Sequence, residues 1–257
     1  MKRAIITGAS SGIGLALAQE LGRRGWSLAL LARRTALLDE AVASLAGSQA
    51  VAVTCDVTDA AGVADAVRRA ETALGGPFDL AVANAGIGTP THAAKFDAGA
   101  AGEVIRVNVI GMINLFGAVV PSMIERRSGR FAGVASLAGL RGLPTASAYS
   151  ASKAAMQAFL EAARVELAQF DVGVTIVNPG FIITAMTARN RFRMPFLMKV
   201  EKAAVIIADG LERGKRVVEF PLRMSLMTRL LRLLPDALYD WIMAPGARIR
   251  SEGRAKS

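Results

Sequence analysis

The chain has 257 residues, 53% hydrophobic and 20% charged, which excludes a disordered polymer and allows one large core. Its one cysteine, Cys55, excludes an internal disulfide and fits a reducing, cytoplasmic home. The net charge of +10 is unevenly placed: residues 189–257 hold 15 Lys/Arg against 7 Asp/Glu (+8), and the first 188 hold 16 against 14 (+2), which excludes a generally basic nucleic-acid binder.

The first β-rich run, residues 3–7, leads into Thr7-Gly8-Ala9-Ser10-Ser11-Gly12-Ile13-Gly14 and a helical pattern to residue 24. Strand, glycine-rich turn and helix form a phosphate-binding arrangement, because glycines admit close backbone approach and free amides at the helix start face negative charge. The spacing of Gly8, Gly12 and Gly14 departs from G-x-G-x-x-G, so glycines used only for tight turning are the alternative. A second strand over 27–32 ends in Arg33-Arg34, with no acid until Asp39. Where a dinucleotide's adenosine ribose meets that strand end, an acid would bind hydroxyls, whereas a cation favours a 2′-phosphate, hence NADP over NAD.

Alternation continues with a helix over 35–45, a strand over 50–54 closed by Cys55-Asp56-Val57, and a helix over 59–74 whose dipole favours Asp59. A strand over 79–83 ends in Asn84-Ala85-Gly86, and a long helix follows over about 101–125. Its uncharged window between Arg106 and Glu125 is read as a buried interface helix, since it contains Asn108, Asn114 and Pro121. A strand over 131–135 precedes Ser136, and strong helix composition follows Tyr149. Then come a strand over 173–177 with Asn178-Pro179-Gly180, a helix around 199–212 and a strand over 216–220. Such repeated alternation specifies an α/β fold, a parallel sheet of seven strands doubly wound with helices on both faces. Six strand ends, at Gly8–Gly14, Arg33, Asp56, Asn84–Gly86, Ser136 and Pro179–Gly180, converge on the edge where such sheets bind ligands.

Tyr149 and Lys153 stand one helical turn apart on one face, and Ser136 can meet that face if the intervening loop folds back. An acidic hydroxyl, a cation and a second hydroxyl are the parts of a proton-transfer site. His92, the only histidine, has no ligand cluster around it, so no metal site is expected. Ser147, Ser150 and Ser152 are read as helix-start hydroxyls.

These motifs together, over residues 2–220, resemble the short-chain dehydrogenase/reductase family, with its NAD(P)-binding Rossmann-type fold. Thr7-Gly8-x-x-x-Gly12-x-Gly14 resembles its cofactor turn, Asp56-Val57 its adenine contact and Asn84-Ala85-Gly86 its turn after the fourth strand, although Ala83 stands where many members have Asn. Asn108 on the long helix, Ser136 thirteen positions before Tyr149, Tyr149-x-x-x-Lys153 and Pro179-Gly180-Phe181-Ile182-Ile183-Thr184 complete the set. The resemblance implies that Tyr149 exchanges a proton with the substrate oxygen and that Ser136 polarises the carbonyl. It also implies that Lys153 holds the nicotinamide ribose and lowers the proton affinity of Tyr149, while the backbone at Asn108 supports a water relay. Cofactor contacts are expected at Gly8, Ser10, Ser11, Gly12, Ile13, Gly14, Arg33, Arg34, Asp56, Val57, Asn84, Ala85, Gly86, Tyr149, Lys153, Pro179, Gly180, Ile182 and Thr184. The implied activity is NADP(H)-dependent carbonyl–alcohol interconversion, with a non-catalytic NADP(H) sensor as the alternative.

One domain over 1–257 is expected, with a core over 1–184, a substrate lid over 185–215 and a basic amphipathic extension over 221–257. The lid is apolar at Met186, Phe192, Met194, Phe196, Leu197 and Met198, with Leu137, Leu140, Leu143 and Phe181 beside it, which favours an apolar carbonyl or alcohol. Arg189, Arg191 and Arg193 leave an acidic substrate open. Small residues Gly111, Gly117, Ala154, Ala155 and Ala158 permit close helix packing, and in the resembling family these helices build a subunit interface, so a homodimer or homotetramer is expected. In 222–243, leucines alternate with arginines up to Pro235, a pattern suited either to covering the core or a partner or to peripheral membrane contact.

Overall fold

The computed structural model describes residues 2–45, 47–189 and 194–247. Seven strands, β1 (Arg3–Thr7), β2 (Ser27–Ala32), β3 (Ala50–Thr54), β4 (Leu80–Ala83), β5 (Arg130–Val134), β6 (Gly173–Pro179) and β7 (Val217–Phe220), form one sheet. All its pairings are parallel and its order is β3-β2-β1-β4-β5-β6-β7. The order in which successive strands are added reverses across the β1–β4 boundary, which opens a crevice beyond the strand ends there.

Strand side chains alternate between two cores. Ile5, Ala29 and Leu31 face the layer of α3 (Ala60–Leu74), α5 (Gly111–Glu125) and α6 (Ser147–Leu167). Ala4, Ile6, Leu28 and Leu30 face that of α1 (Gly12–Arg23), α2 (Thr35–Ala43) and α7 (Val200–Glu212). Both faces are therefore buried, which is why the strands read as continuous apolar runs. Arg24 clamps α1 to α7, at 2.6 Å from Glu212 and 2.8 Å from Asp209.

Two expectations are corrected. The long helix starts at residue 98 as α4 (Ala98–Ile105), because Asp97 caps it by accepting from the Ala100 amide at 3.0 Å. One π turn, Arg106–Ile110, then separates α4 from α5. The composite helix over 98–125 is apolar and long enough to cross a membrane, but half of its most apolar window is buried inside the fold. Secondly, the 185–215 segment is not one lid. Ala203, Ala204, Ile207 and Leu211 of α7 lie in the core, so only the residues before α7 remain near the site. The C-terminal segment breaks at Pro235 as its sequence pattern does: it is two helices, α8 (Leu222–Leu233) and α9 (Asp236–Ala247), divided at Leu234-Pro235 where proline cannot continue α8. Arg191, Phe192 and Arg193 lie outside the described residues, as does the extension beyond 247.

Candidate active site

Every residue expected at the site borders one cleft of about 530 Å³ beyond the strand ends, except Gly14 and Asn108. At one end, Gly8 (φ 66°) and Gly12 (φ 58°) turn the chain between β1 and α1. A side chain on Gly8 would come within 2.7 Å of the Ala85 backbone, and one on Gly14 within 2.4 Å of the Asn84 amide. Glycine is needed at both positions for close packing, and at Gly8 for the left-handed backbone as well. Thr7 and Asn84 lock the two strand ends together: Thr7 Oγ1 accepts from the Asn84 and Ala85 amides, and Asn84 Nδ2 donates to Thr7 O at 2.9 Å. Gly14 and the Asn84 side chain thus shape the cradle.

The paired arginines diverge. Arg34 reaches back over the turn, donating to Ser10 Oγ and Ser11 Oγ, each at 3.2 Å. Arg33 approaches Asp56 at 3.7 Å. The Thr58 amide, donating to Asp56 Oδ1 at 2.9 Å, together with Arg33, holds the Asp56 carboxyl below its usual range against the opposing cost of burial. Thr184 overhangs the turn, with Cγ2 3.5 Å from where a Gly12 Cβ would stand. The cradle of amides, two hydroxyls and a guanidinium is a donor set that fits phosphate groups, and Arg33 beside Asp56 lines the same cleft.

At the other end stand Ser136, Tyr149 and Lys153. Ser136 follows β5 and caps the next short turn, accepting from the Ala138 amide at 3.1 Å. Its Oγ donates to Pro179 O at 3.4 Å, and Ser136 and Tyr149 border the same cleft, so the loop does fold back as the spacing requires. Gly88 faces both Tyr149 and Met186, since a Cβ on it would sit 3.4 Å from Tyr149 Cδ2 and 3.6 Å from Met186 Sδ. Lys153 Nζ is buried 5.7 Å from the Tyr149 ring centroid and donates to Val134 O at 2.8 Å.

Burial dominates the electrostatics at this end of the cleft. Burial raises the Tyr149 phenol above its ordinary value, and the nearby Ser136 hydroxyl only partly opposes this. Burial also depresses Lys153 from 10.5 to about 7.

Asn108 is fully buried behind the cleft, within the π turn. Oδ1 accepts from the Ile87 amide at 2.8 Å, and Nδ2 donates to Ile87 O at 3.0 Å and to Ser152 Oγ at 2.9 Å. Ser152 Oγ donates in turn to Tyr149 O at 2.7 Å. Ser152 is thus more than a helix-start hydroxyl, because it joins Asn108 to the backbone of Tyr149. Ser147 and Ser150 keep the plainer role, tying α6 to Thr91 and Leu143.

Sequence reasoning also missed a buried chain behind Ser136. Gln157 Nε2 donates to Ser136 O at 2.8 Å and to Asn178 Oδ1 at 3.0 Å, and Asn178 Nδ2 donates to Glu219 Oε1 at 3.1 Å. Ser225 and Arg229 of α8 complete Glu219. The one available signal was Gln157, a polar residue one turn after Lys153 on the same helix face. His92 meets no metal-binding group: Nδ1 accepts from the Ala94 amide and Nε2 contacts Ala247 O, and the described residues contain no metal-binding cluster.

Residues 2–194 match the family model described as short chain dehydrogenase. An uncharacterized oxidoreductase of Myxococcus xanthus is 42% identical over 243 residues, covering 93% of this chain and 95% of that one. Dehydrogenase/reductase SDR family member 7B of Mus musculus is 31% identical, covering 98% and 83%. Among solved structures, an alcohol dehydrogenase of the archaeon Thermococcus sibiricus, complexed with 5-hydroxy-NADP, superposes with a TM-score of 0.77 at 28% identity, covering 86% and 95%. A short chain dehydrogenase/reductase of Burkholderia phymatum in complex with NAD shares the fold at a TM-score of 0.82 and 24% identity, covering 89% and 92%. On the matched span and these identities, the chain belongs to the short-chain dehydrogenase/reductase family of oxidoreductases.

Proposed function

We propose that this oxidoreductase is NADP(H)-dependent and reduces the carbonyl of an apolar ketone or aldehyde, with Tyr149 as the proton donor. One observation carries the reading: a single cleft joins Ser136, Tyr149 and Lys153 at one end to the Gly8–Gly12 cradle, with Arg34 and Arg33 beside it, at the other. The cofactor supplies the hydride, and the chain supplies position and electrostatics. The cradle and Ser10, Ser11 and Arg34 would hold the phosphates, and Arg33 and Arg34 would favour a 2′-phosphate. A substrate carbonyl oxygen between Ser136 and Tyr149 would accept from both hydroxyls. The raised phenol keeps its proton until that oxygen gains negative charge, which suits an acid in the reductive direction. Lys153, poised near pH 7, can then re-supply a proton through solvent.

The half-exposed lid residues Met186, Phe196 and Leu197 favour an apolar substrate. Exposed Ala151, Ala154, Ala155 and Ala158 leave one face of α6 open to a second subunit, in support of a homo-oligomer.

The deciding assay follows NADPH oxidation across a panel of apolar and acidic carbonyls. Tyr149→Phe is expected to lower turnover by at least about a hundredfold while NADPH binding persists. Retention of most activity rejects the acid assignment. Arg33→Ala with Arg34→Ala is expected to weaken NADPH by at least about tenfold relative to NADH. Equal loss for both nucleotides rejects the 2′-phosphate reading.

A further inference from the structure

Helix α8 is turned the opposite way from a core-covering helix. Its polar Ser225 and Thr228 are buried, at 4% and 8% exposure, whereas Leu222, Leu226, Leu230 and Leu233 stand at 70%, 53%, 65% and 80%. At about 100° per residue, these four leucines fall within an arc of about 80°. Exposed Arg223 borders one edge of the arc, and exposed Arg229 and Arg232 border the other. No acid occurs in α8. Helix α9 adds Trp241 at 75% exposure, with Leu238 and Ile242 at 44% and 41%.

The inner side of this helix pair is fastened by polar contacts. Arg141 donates to the carbonyls of Leu231, Arg232 and Leu234 and to Asp236, and the Tyr239 hydroxyl donates to Gly142 O. Glu219 receives Ser225 and Arg229. Together with the part-buried Met224 beside Gly180, these polar contacts hold α8 in place, and its exposed leucine arc is left for an external phase.

We infer that α8, with α9, docks the protein on the surface of an anionic lipid bilayer, the leucine arc entering the headgroup–acyl boundary and Arg223 and Arg232 meeting lipid phosphates. A lipid surface accepts a flat apolar stripe without matching hydrogen bonds, because the helix already satisfies its own backbone. Arginines on both flanks can bury their stems and keep the guanidinium at headgroup level, and Trp241 suits the same depth. Charge argues against a second copy of the chain: a self-pairing of α8 would set one acid-free arginine-flanked face against another. Residues 221–257 carry 7 Lys/Arg against 3 Asp/Glu, so the whole extension has the sign an anionic surface attracts.

The test is co-sedimentation of the full chain with vesicles of phosphatidylserine and phosphatidylcholine, and with phosphatidylcholine alone. The full chain should pellet with the mixed vesicles, remain largely free of the zwitterionic ones, and be released by high salt. The triple variant Leu222→Ser, Leu226→Ser, Leu230→Ser should partition at least about tenfold less, with NADPH binding and circular dichroism unchanged. A second variant, Arg223→Glu with Arg232→Glu, should lose the preference for phosphatidylserine. The inference is overturned if the full chain stays in solution, binds both vesicle types equally, or partitions as the leucine variant does. It is also overturned if the leucine substitutions dissociate an oligomer without changing vesicle binding.

Discussion

Tyr149 and Lys153 show how burial decides the state of titratable groups. Lys153 titrates near 10.5 in an unfolded chain and near about 7 in the fold, so between those values the unfolded state binds more protons. Its contribution to stability therefore rises with pH through that window and is most unfavourable at and below pH 7. Lys153→Met is expected to raise stability at pH 7 by more than about 1 kcal/mol and to flatten the rise toward pH 10. Urea unfolding at both pH values measures this; a variant less stable at pH 7 would refute it. Activity should fall in the same variant, because a lysine kept at this cost serves the site. Cys55 follows the same physics: burial, with Asp56 next in importance, pushes its thiol up to about 11. The thiol is therefore un-ionised at neutral pH, and alkylation is expected to be slow there and to accelerate toward pH 11. Fast modification at pH 7 contradicts this.

Among the elements, α6 and the π turn carry the site between them. The i to i+4 spacing in α6 aims Tyr149 and Lys153 at one cleft, and Gln157, one turn further, holds the carbonyl of Ser136 across the loop. Gln157→Ala would leave Ser136 O and Asn178 Oδ1 without this donor inside the fold. A cost of about 1–3 kcal/mol is expected in urea unfolding, and a change below about 0.5 kcal/mol would show the bond to be dispensable. The π turn at Arg106–Ile110 sets Asn108 against both Ile87 backbone groups and Ser152. Such turns often mark functional positions in otherwise regular helices. At the C-terminal end, Arg141 satisfies three carbonyls at the end of α8 and its junction to α9. Arg141→Ala is expected to speed limited proteolysis between Leu231 and Asp236 several-fold while global unfolding is little changed. An unchanged cleavage rate would show that the α8–α9 junction does not depend on it.

For the whole molecule, the sequence was most legible where a regular period met a buried face. Seven apolar strand runs, each followed by a turn or cap signal, place the sheet and the edge on which Gly8, Arg33, Asp56, Asn84, Ser136 and Pro179 meet. Helix–strand alternation allows few topologies, and the observed sheet is the one that buries both faces. The start of the long helix at Ala98 was also written in the sequence, as the cap residue Asp97, but apolar periodicity alone begins later. The π turn has no such signature, because its residues read as continuous helix.

What the sequence determined by itself was the order of the elements, the converging edge and the identities of Ser136, Tyr149 and Lys153, since periodicity and fixed spacing along one helix are local properties. Only the tertiary structure decided that Lys153 is depressed and Tyr149 raised, because desolvation depends on what packs over a group. It likewise decided that Arg34 rather than Arg33 covers Ser10 and Ser11, that Gln157 reaches Ser136, and that the leucines of α8 face outward. Those outcomes join residues far apart in the chain, and no local pattern encodes which polar group meets which across a fold.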